Sequence, residues 1–190
     1  RSWDDARGAS LSMSFLCESD LPAPGMAIAV GLGVFDACTS LGAKGLGLKW
    51  PNDVVERSGA CFGRKLCGVL IEAQGREKIV GVGLNVGCMD GVAGAVGLDA
   101  LGVAMPRPSV IGPVIDGIAA RLSSSPEAIR DAWREVDVLR GHRCRFRVDR
   151  NPVVGVVHDL DAQWRLVLEA EGGRRVRVDA SHAHYEECMA

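Results

Sequence analysis

Apolar and polar positions in the first 140 residues follow two different periods, and each period predicts a different element. Residues 9–16 (ASLSMSFL) alternate small polar and apolar side chains, which is typical of a half-buried strand. Met26–Ser40 is apolar almost all round over the length of a helix, so it predicts a helix buried against a sheet. Leu66–Ala73 and Lys78–Val86 are apolar runs joined by the turn residues 74–76, which predicts an antiparallel hairpin.

The remaining elements of this part are shorter or more polar. Leu46–Trp50 predicts a short strand, and the polar, glycine-containing residues 53–64 predict a loop. Val110–Leu122 is amphipathic with a helical period. Ser125, followed by a proline, predicts the N-cap of another helix that reaches about Leu139.

The pattern changes after residue 140, where short strand-like runs alternate with turn residues. Regular short strands of this kind predict a small barrel. The sequence therefore predicts an α+β protein with one domain over residues 1–140 and a second over residues 141–190. The predicted strands of the second domain are CRFRV, VVGVVHDL, RLVLEA and RRVRVDA.

Composition narrows the class of protein. The chain has 190 residues, 47% of them hydrophobic, and a formal net charge of −2. No excess of Lys and Arg exists to neutralise phosphates, so nucleic acid is not expected as the main partner. No apolar run approaches the ~20 residues of a membrane span.

Seven cysteines without a C-x-x-C pair indicate reduced thiols and a cytoplasmic protein rather than a disulfide framework. No metal-binding cluster is expected. Because the first residue is Arg1, we take the chain as part of a longer or processed protein.

Lys49-Trp50-Pro51-Asn52-Asp53 is the first segment with chemical potential. Pro51 cannot continue a central strand, so the chain turns there and leaves a basic, an amide and an acidic side chain together. An Asn side chain both donates and accepts, which suits the edge of an adenine. Asp can neutralise a Lys or hold a water of Mg²⁺. Taken alone, a plain polar turn explains the same residues.

Lys65 opens an otherwise apolar strand, so its ammonium group is expected at the end of a sheet. A fixed positive charge there suits the formation of an acyl-adenylate, in which a carboxylate must approach a phosphate and charge builds on that phosphate. Gly68 would let a ligand approach the backbone closely. The alternative is a surface Lys that protects the edge of a strand.

Gly81-Val82-Gly83-Leu84-Asn85 places two glycines inside a strand, where they mark close approach of a ligand or another backbone. A β-bulge followed by an Asn-mediated turn is the alternative. The spacing is not the G-x-G-x-x-G dinucleotide fingerprint, and no Walker motif, H-E-x-x-H or G-x-S-x-G occurs. Any use of ATP would therefore depend on a different architecture.

Together and in this order, these three segments resemble the signature of the bacterial biotin–protein ligase family. The resemblance extends to both ends of the chain. Arg1-Ser2-Trp3 is similar to the end of the family's biotin loop, and the last ~50 residues are similar to its C-terminal SH3-like barrel. The resemblance implies a class II synthetase-like biotin/lipoate ligase domain with a mixed, mainly antiparallel sheet. It also implies a two-step reaction, in which biotin and ATP form biotinyl-AMP and a lysine of a carrier protein then takes the biotin.

The family's site residues can be placed on matching positions. The resemblance implies that Lys65 contacts the biotin carboxyl group and the α-phosphate, and that Asp53 orients Lys65 or serves the metal and phosphate end. Asn52 and Asn85 would lie at the adenine. The catalytic set is thus Lys65 and Asp53, and the cofactor-binding set is Arg1, Trp3, Lys49, Trp50, Asn52, Gly68, Gly83 and Asn85. The implied ligands are ATP, biotin and Mg²⁺, the implied partner is a biotin carboxyl carrier protein, and a homodimer is left open.

Two departures and two alternatives accompany the resemblance. The family has residues upstream of Arg1 that bind the biotin ureido group, so we expect this chain alone to bind biotin poorly and to ligate slowly or not at all. His158 stands where similar enzymes often have an Arg. A lipoate–protein ligase shares the fold and the adenylate chemistry, and a non-catalytic ligand-binding remnant of the same fold is the other alternative.

Overall fold

Five antiparallel strands form a sheet in the first part of the chain. The structure is a computed structural model that describes residues 8–57 and 62–189. The strands lie in the order β1-β5-β4-β3-β2. Parallel pairing within this part is limited to isolated bridges, so among the described strands the predicted mixed sheet is an antiparallel one. The strands are β1 (Ser10–Glu18), β2 (Leu46–Lys49), β3 (Asp53–Glu56), β4 (Lys65–Gln74) and β5 (Glu77–Asn85).

Strand β3 corrects the prediction of a loop over residues 53–64. Val54 and Val55 are both buried, and β3 pairs with β2 on one side and β4 on the other. Because β3 lies between two strands, its backbone N–H and C=O groups find hydrogen-bond partners on both edges. Four residues with two adjacent valines are too few to show a two-residue period, so the pattern gave no signal.

Three helices cover one face of the sheet. They are α1 (Ala23–Ser40), α2 (Arg107–Leu122) and α3 (Pro126–Val136). The predicted N-cap of α3 is confirmed, because Ser125 Oγ accepts a hydrogen bond from the Ala128 N–H at 3.2 Å. Helix α3 ends three residues before the predicted Leu139, since Asp137 is already extended.

Helices α1 and α2 meet backbone to backbone. A Cβ atom added at Gly33 would lie 2.5 Å from Ile118 Cα, and one added at Gly117 would lie 2.4 Å from the Gly33 carbonyl oxygen. Only glycine permits this approach. Helix α1 is long and apolar enough to span a membrane by length and composition, but most of it is buried in the protein, as expected of a core helix.

A second antiparallel sheet follows α3, in the order β10-β6-β7-β8-β9. Strand β10 lies beyond the four strands predicted for this part of the chain, and it pairs with β6 from Ala183 to Met189. No described pairing joins β9 to β10, so the described strands form an open sheet rather than a closed barrel. The strands are β6 (Arg143–Val148), β7 (Asn151–Leu160), β8 (Leu166–Glu169), β9 (Arg175–Val178) and β10 (Ala183–Met189).

Two hydrophobic cores meet at α1. The first lies between the first sheet, α1 and α2. The second joins α1, β2 and α3 to the inner face of the second sheet, and it includes Trp50 and Phe146, whose rings lie edge to face at 6.0 Å. Helix α1 therefore needs no polar face, since the two cores cover it from different sides.

The cysteines differ in one respect from the prediction. Cys188 is disulfide-bonded, so the expectation of reduced thiols throughout is wrong at this position. The other cysteines of the described residues are free, and burial raises the pKa of the Cys38 and Cys144 thiols to about 12. Such thiols are poor nucleophiles because the reactive form is the thiolate.

Candidate functional site

A row of small residues crosses the outer face of the first sheet, on the side away from the helices. Ser12 pairs with Gly83, Gly83 with Gly68, and Gly68 with Asp53, which pairs in turn with Lys49. Partners directly opposite each other point to the same face of a sheet. From one end of this row to the other, one serine and two glycines are followed by two charged side chains.

This row lies along a trough whose floor is largely glycine. Its cavity volume is about 280 Å³. One end holds the polar side chains of Lys65 and Asn52, and the other end holds Leu70, which is 56% exposed. An elongated ligand with a charged group at one end and apolar atoms at the other would match this gradient. The lining residues are Ser12, Met13, Ser14, Asn52, Lys65, Gly68, Val69, Leu70, Gly81, Val82 and Gly83.

Asp53 joins two lysines at the polar end of the trough. Its Oδ1 lies 2.7 Å from Lys65 Nζ and its Oδ2 lies 3.0 Å from Lys49 Nζ. Two ammonium groups and one carboxylate leave an excess positive charge, which favours anions at this end. Because Asp53 is shared, the position of Lys65 depends on the position of Lys49.

The backbone of Lys65 is held on several sides. Its N–H donates to the Gly94 carbonyl oxygen at 2.7 Å, and its own carbonyl oxygen accepts from the Val96 N–H at 3.0 Å. The pairing of β3 with β4 shifts register between Val54 and Val55, next to Lys65. A bulge of this kind re-aims a side chain, so the strand irregularity and the fixed backbone together set the direction of Lys65.

Asn85 is not among the residues that line the trough, although it lies two positions after Gly83 and on the same face of β5. Its Nδ2 donates to the Lys65 carbonyl oxygen at 3.1 Å, and its Oδ1 accepts from Ser10 Oγ at 3.1 Å. The side chain is 2% exposed, and its partners satisfy both polar atoms. These contacts favour a role in holding Lys65, while the predicted contact with adenine stays a prediction.

Asn52 and Trp50 occupy different surroundings although they are two residues apart. Asn52 lines the trough, and its Nδ2 donates to the Val69 carbonyl oxygen at 2.5 Å. Trp50 was expected to frame the pocket, but it is 1% exposed and belongs to the second core. The peptide bond before Pro51 is cis, and it lies between Trp50, which points into the second core, and Asn52, which lines the trough. Trp50 thus anchors the turn at Pro51 to the second core, because its whole indole is covered by apolar neighbours.

Lys49 points toward the second sheet. Its Nζ lies 4.9 Å from the ring centroid of Phe62 and 5.4 Å from that of Tyr185. It does not line the trough itself but contacts it through Asp53. Arg1 and Trp3, the remaining predicted site residues, lie outside the described residues.

Two residues of the trough, Ser12 and Ser14, were missed from the sequence. The signal was present, since serine recurs at residues 10, 12 and 14 of β1. Gly81 also lines the trough; the sequence marked it for close approach but did not assign it to the site. Hydroxyl groups at alternate positions indicate that one face of the strand carries small, polar side chains. Tyr185 gave no local signal, because it reaches Lys49 only through the tertiary structure.

The described residues do not build a metal site of their own. None of their His, Cys, Asp and Glu side chains form a group of three or more that could hold an ion. Both oxygens of Asp53 already face lysines.

Sequence comparison finds biotin ligases among the proteins similar to this chain. The chain is 36% identical to the biotin–[acetyl-CoA-carboxylase] ligase of Mycobacterium tuberculosis over 166 residues, which are 82% of the chain and 60% of the relative. It is 24% identical to the bifunctional ligase/repressor BirA of Escherichia coli over 90% of the chain and 57% of that protein. The chain thus spans less than two thirds of the length of these relatives. No protein-family model matches it.

The fold is that of biotin protein ligases. The apo biotin protein ligase of Aquifex aeolicus superposes with a TM-score of 0.81 at 21% identity, over 94% of this chain and 82% of that one. The same enzyme in complex with biotin and ATP gives a TM-score of 0.79, at 21% identity over 94% and 78% of the two chains. The resemblance to the biotin–protein ligase family is therefore confirmed in sequence and in fold.

Proposed function

We propose that this chain contains the site at which a biotin–protein ligase activates biotin with ATP and passes it to a carrier protein. The observation that supports the proposal most strongly is the ion pair between Lys65 and Asp53, 2.7 Å long, at the end of a glycine-floored trough. In the first step a biotin carboxylate oxygen attacks the α-phosphorus of ATP, and the bond to pyrophosphate breaks. In the second step a lysine amine of the carrier attacks the acyl carbon and AMP leaves.

Electrostatics give Lys65 its role in the first step. The carboxylate and the triphosphate repel each other, and negative charge grows on the α-phosphate oxygens as the new bond forms. An ammonium group about 4 Å from such an oxygen contributes roughly 4 kcal/mol at an effective dielectric constant of ~20. Asp53 aims the amine while adding only one negative charge against two lysines.

The trough floor supports the binding of biotin. Gly68, Gly81 and Gly83 have no side chains, so a flat ring system could lie against the sheet. Asn52 and Lys49 belong to the polar end, where we place the phosphates and the adenine. Arg1 and Trp3 are retained as residues that would fold over the ligands, on the resemblance alone. Mg²⁺ would accompany ATP.

The wider assignments are part of the same proposal. We place a catalytic domain at residues 1–140 and a second domain at residues 141–190. The five short antiparallel strands of the second sheet support an SH3-like barrel as its architecture. A biotin carboxyl carrier protein is the expected macromolecular partner, and the expected location is the cytoplasm.

The test is formation of biotinyl-AMP in the complete protein, measured as exchange of labelled pyrophosphate into ATP. Lys65→Met should lower the rate roughly 10²- to 10³-fold because the positive charge is lost. Lys44→Met is the matched control, since Lys44 is an exposed lysine in the loop before β2. An unchanged rate in Lys65→Met would refute the proposed mechanism. Exchange that depends on lipoate rather than biotin would identify the lipoate ligase instead, and binding without exchange would identify a non-catalytic relative.

A further inference from the structure

Lys49 is enclosed by two aromatic rings that belong to different parts of the chain. Phe62 precedes β4, whereas Tyr185 lies on β10 of the second sheet. The Lys49 Nζ lies 4.9 Å and 5.4 Å from the two ring centroids, and the rings lie 5.4 Å from each other. A cation within about 6 Å of a ring centroid is attracted to the face of the ring.

Little water reaches this ammonium group. The Lys49 side chain is 19% exposed, and Asp53, its ionic partner, is 12% exposed. Attraction between a cation and a ring strengthens when both lose their water. Lys49 is therefore fixed by an oxygen on one side and by two rings on the other.

The position of Tyr185 is fixed in turn by the second core. Its ring packs edge to face on Phe146 at 5.7 Å, and Phe146 packs on Trp50 at 6.0 Å. Tyr185 and Phe146 are also directly paired across β10 and β6. A row of rings thus runs from beneath the Trp50-Pro51 turn to the Lys49 ammonium group.

We propose that Tyr185 and Phe62 are positioning residues, whose ring faces hold Lys49 so that Lys49 holds Asp53 and Asp53 aims Lys65. The three charged residues of this chain of contacts lie on the first sheet. Through Tyr185, the second sheet helps to hold them in position. The effect on catalysis depends on the function proposed above, whereas the contact itself does not.

The kinetic test compares variants of Tyr185 in the complete protein. Tyr185→Phe keeps the ring face and should retain the kcat of biotinyl-AMP formation within about threefold, whereas Tyr185→Leu should lower it about tenfold. The KM values for biotin and ATP should change by less than about threefold, because the trough itself is intact. Phe35→Leu is the matched control. Phe35 lies on α1, packs against both hydrophobic cores and is not one of the rings of this row, so its loss should lower the free energy of unfolding and leave kcat unchanged.

A double-mutant cycle separates positioning from a general loss of structure. Lys49→Met should lower kcat about as much as Tyr185→Leu, and the double variant should be no slower than the slower single variant, because both changes interrupt one chain of contacts. Equal losses in Tyr185→Phe and Tyr185→Leu, or losses that multiply in the double variant, would overturn the proposal.

A readout without catalysis is available because Tyr185 is the only tyrosine of the chain. In the 190-residue chain itself, ring-labelled tyrosine therefore gives NMR signals that report on Tyr185 alone. These signals should move in Lys49→Met and stay near their original positions in Lys49→Arg, which keeps a cation above the ring. If no variant forms biotinyl-AMP, the proposed function fails and this measurement still decides the contact: unchanged signals in Lys49→Met would refute it.

Discussion

Gly81→Ala is the sharpest test of the trough as a binding surface, because it adds one methyl group to the floor and little else. A Cβ atom at Gly81 would meet only Leu70, 3.6 Å from its Cβ and 3.8 Å from its carbonyl oxygen. These are ordinary van der Waals distances. Gly81 does not have a positive φ, so alanine adopts its backbone conformation without strain.

The two expected effects have opposite directions. Alanine restricts the unfolded chain, so the free energy of unfolding should stay unchanged or rise by about 0.4–1 kcal/mol. The methyl group projects into a trough of about 280 Å³ and lifts any ligand that lies flat on the strand. Overpacking of this kind costs roughly 1–3 kcal/mol, so biotin or biotinyl-AMP should bind about 5- to 100-fold more weakly.

Isothermal calorimetry in the complete protein measures the binding, and urea unfolding measures the stability. Gly112→Ala is the matched control, because Gly112 lies in α2 with no atom within 4 Å of its added Cβ. It should stabilise the protein in the same way without changing affinity. If Gly81→Ala binds with unchanged affinity at unchanged stability, the ligand does not lie on this floor.

Three further predictions concern the titration of buried groups and the helix contact. Burial raises the pKa of the Asp137 carboxyl to about 7 against an ordinary 3.8. The folded protein thus holds a proton that the unfolded chain releases, and the free energy of unfolding should fall as pH rises from about 4 to about 7. Asp137→Asn should flatten this dependence in urea titrations at several pH values, and an unchanged slope would show that another group is responsible. Burial also raises the pKa of Tyr185 to about 12. Absorbance of the single tyrosine at 295 nm should therefore stay flat through pH 10 in the folded protein but titrate near pH 10 in urea; a midpoint near 10 without urea would contradict the burial of this ring. Gly33→Ala should destabilise the protein by at least about 1–3 kcal/mol in thermal melts, because its methyl group would overlap the backbone of α2. An unchanged melting temperature would contradict the close contact of the two helices.

Long elements with a clear period were predictable from the sequence. The apolar stretch of α1 and the hairpin of β4 and β5 appear within a few residues of their predicted bounds. The N-cap of α3 at Ser125 also follows from local chemistry, since a hydroxyl before a proline meets the first free N–H groups of a helix. Short strands were harder to predict. Strand β3 has four residues, and β10 has an exposed face and a register shift after Tyr185, so neither shows a regular period.

The candidate site was predictable in part. Lys65, Asp53 and Gly68 were predicted as site residues, and the structure brings them together: Lys65 and Gly68 line the trough, and Asp53 forms an ion pair with Lys65 and a strand pair with Gly68. The direction of a side chain was not predictable. Trp50 turns into the second core, and the Asn85 side chain is held by the Lys65 carbonyl oxygen and Ser10 Oγ, because both arrangements depend on residues distant in the chain. The rings around Lys49 were missed for the same reason.

The position of α1 has a consequence for how the molecule melts. This helix belongs to both hydrophobic cores, and residues such as Met26 and Ile28, which are only two positions apart, belong to different ones. Loss of either sheet would expose one apolar side of α1 to water. We therefore expect no stable intermediate in which only one of the two sheets is folded. Scanning calorimetry should therefore record a single heat-absorption peak, with equal calorimetric and van't Hoff enthalpies. A protease that cut the chain near residue 140 would be expected to release unfolded pieces rather than two stable ones.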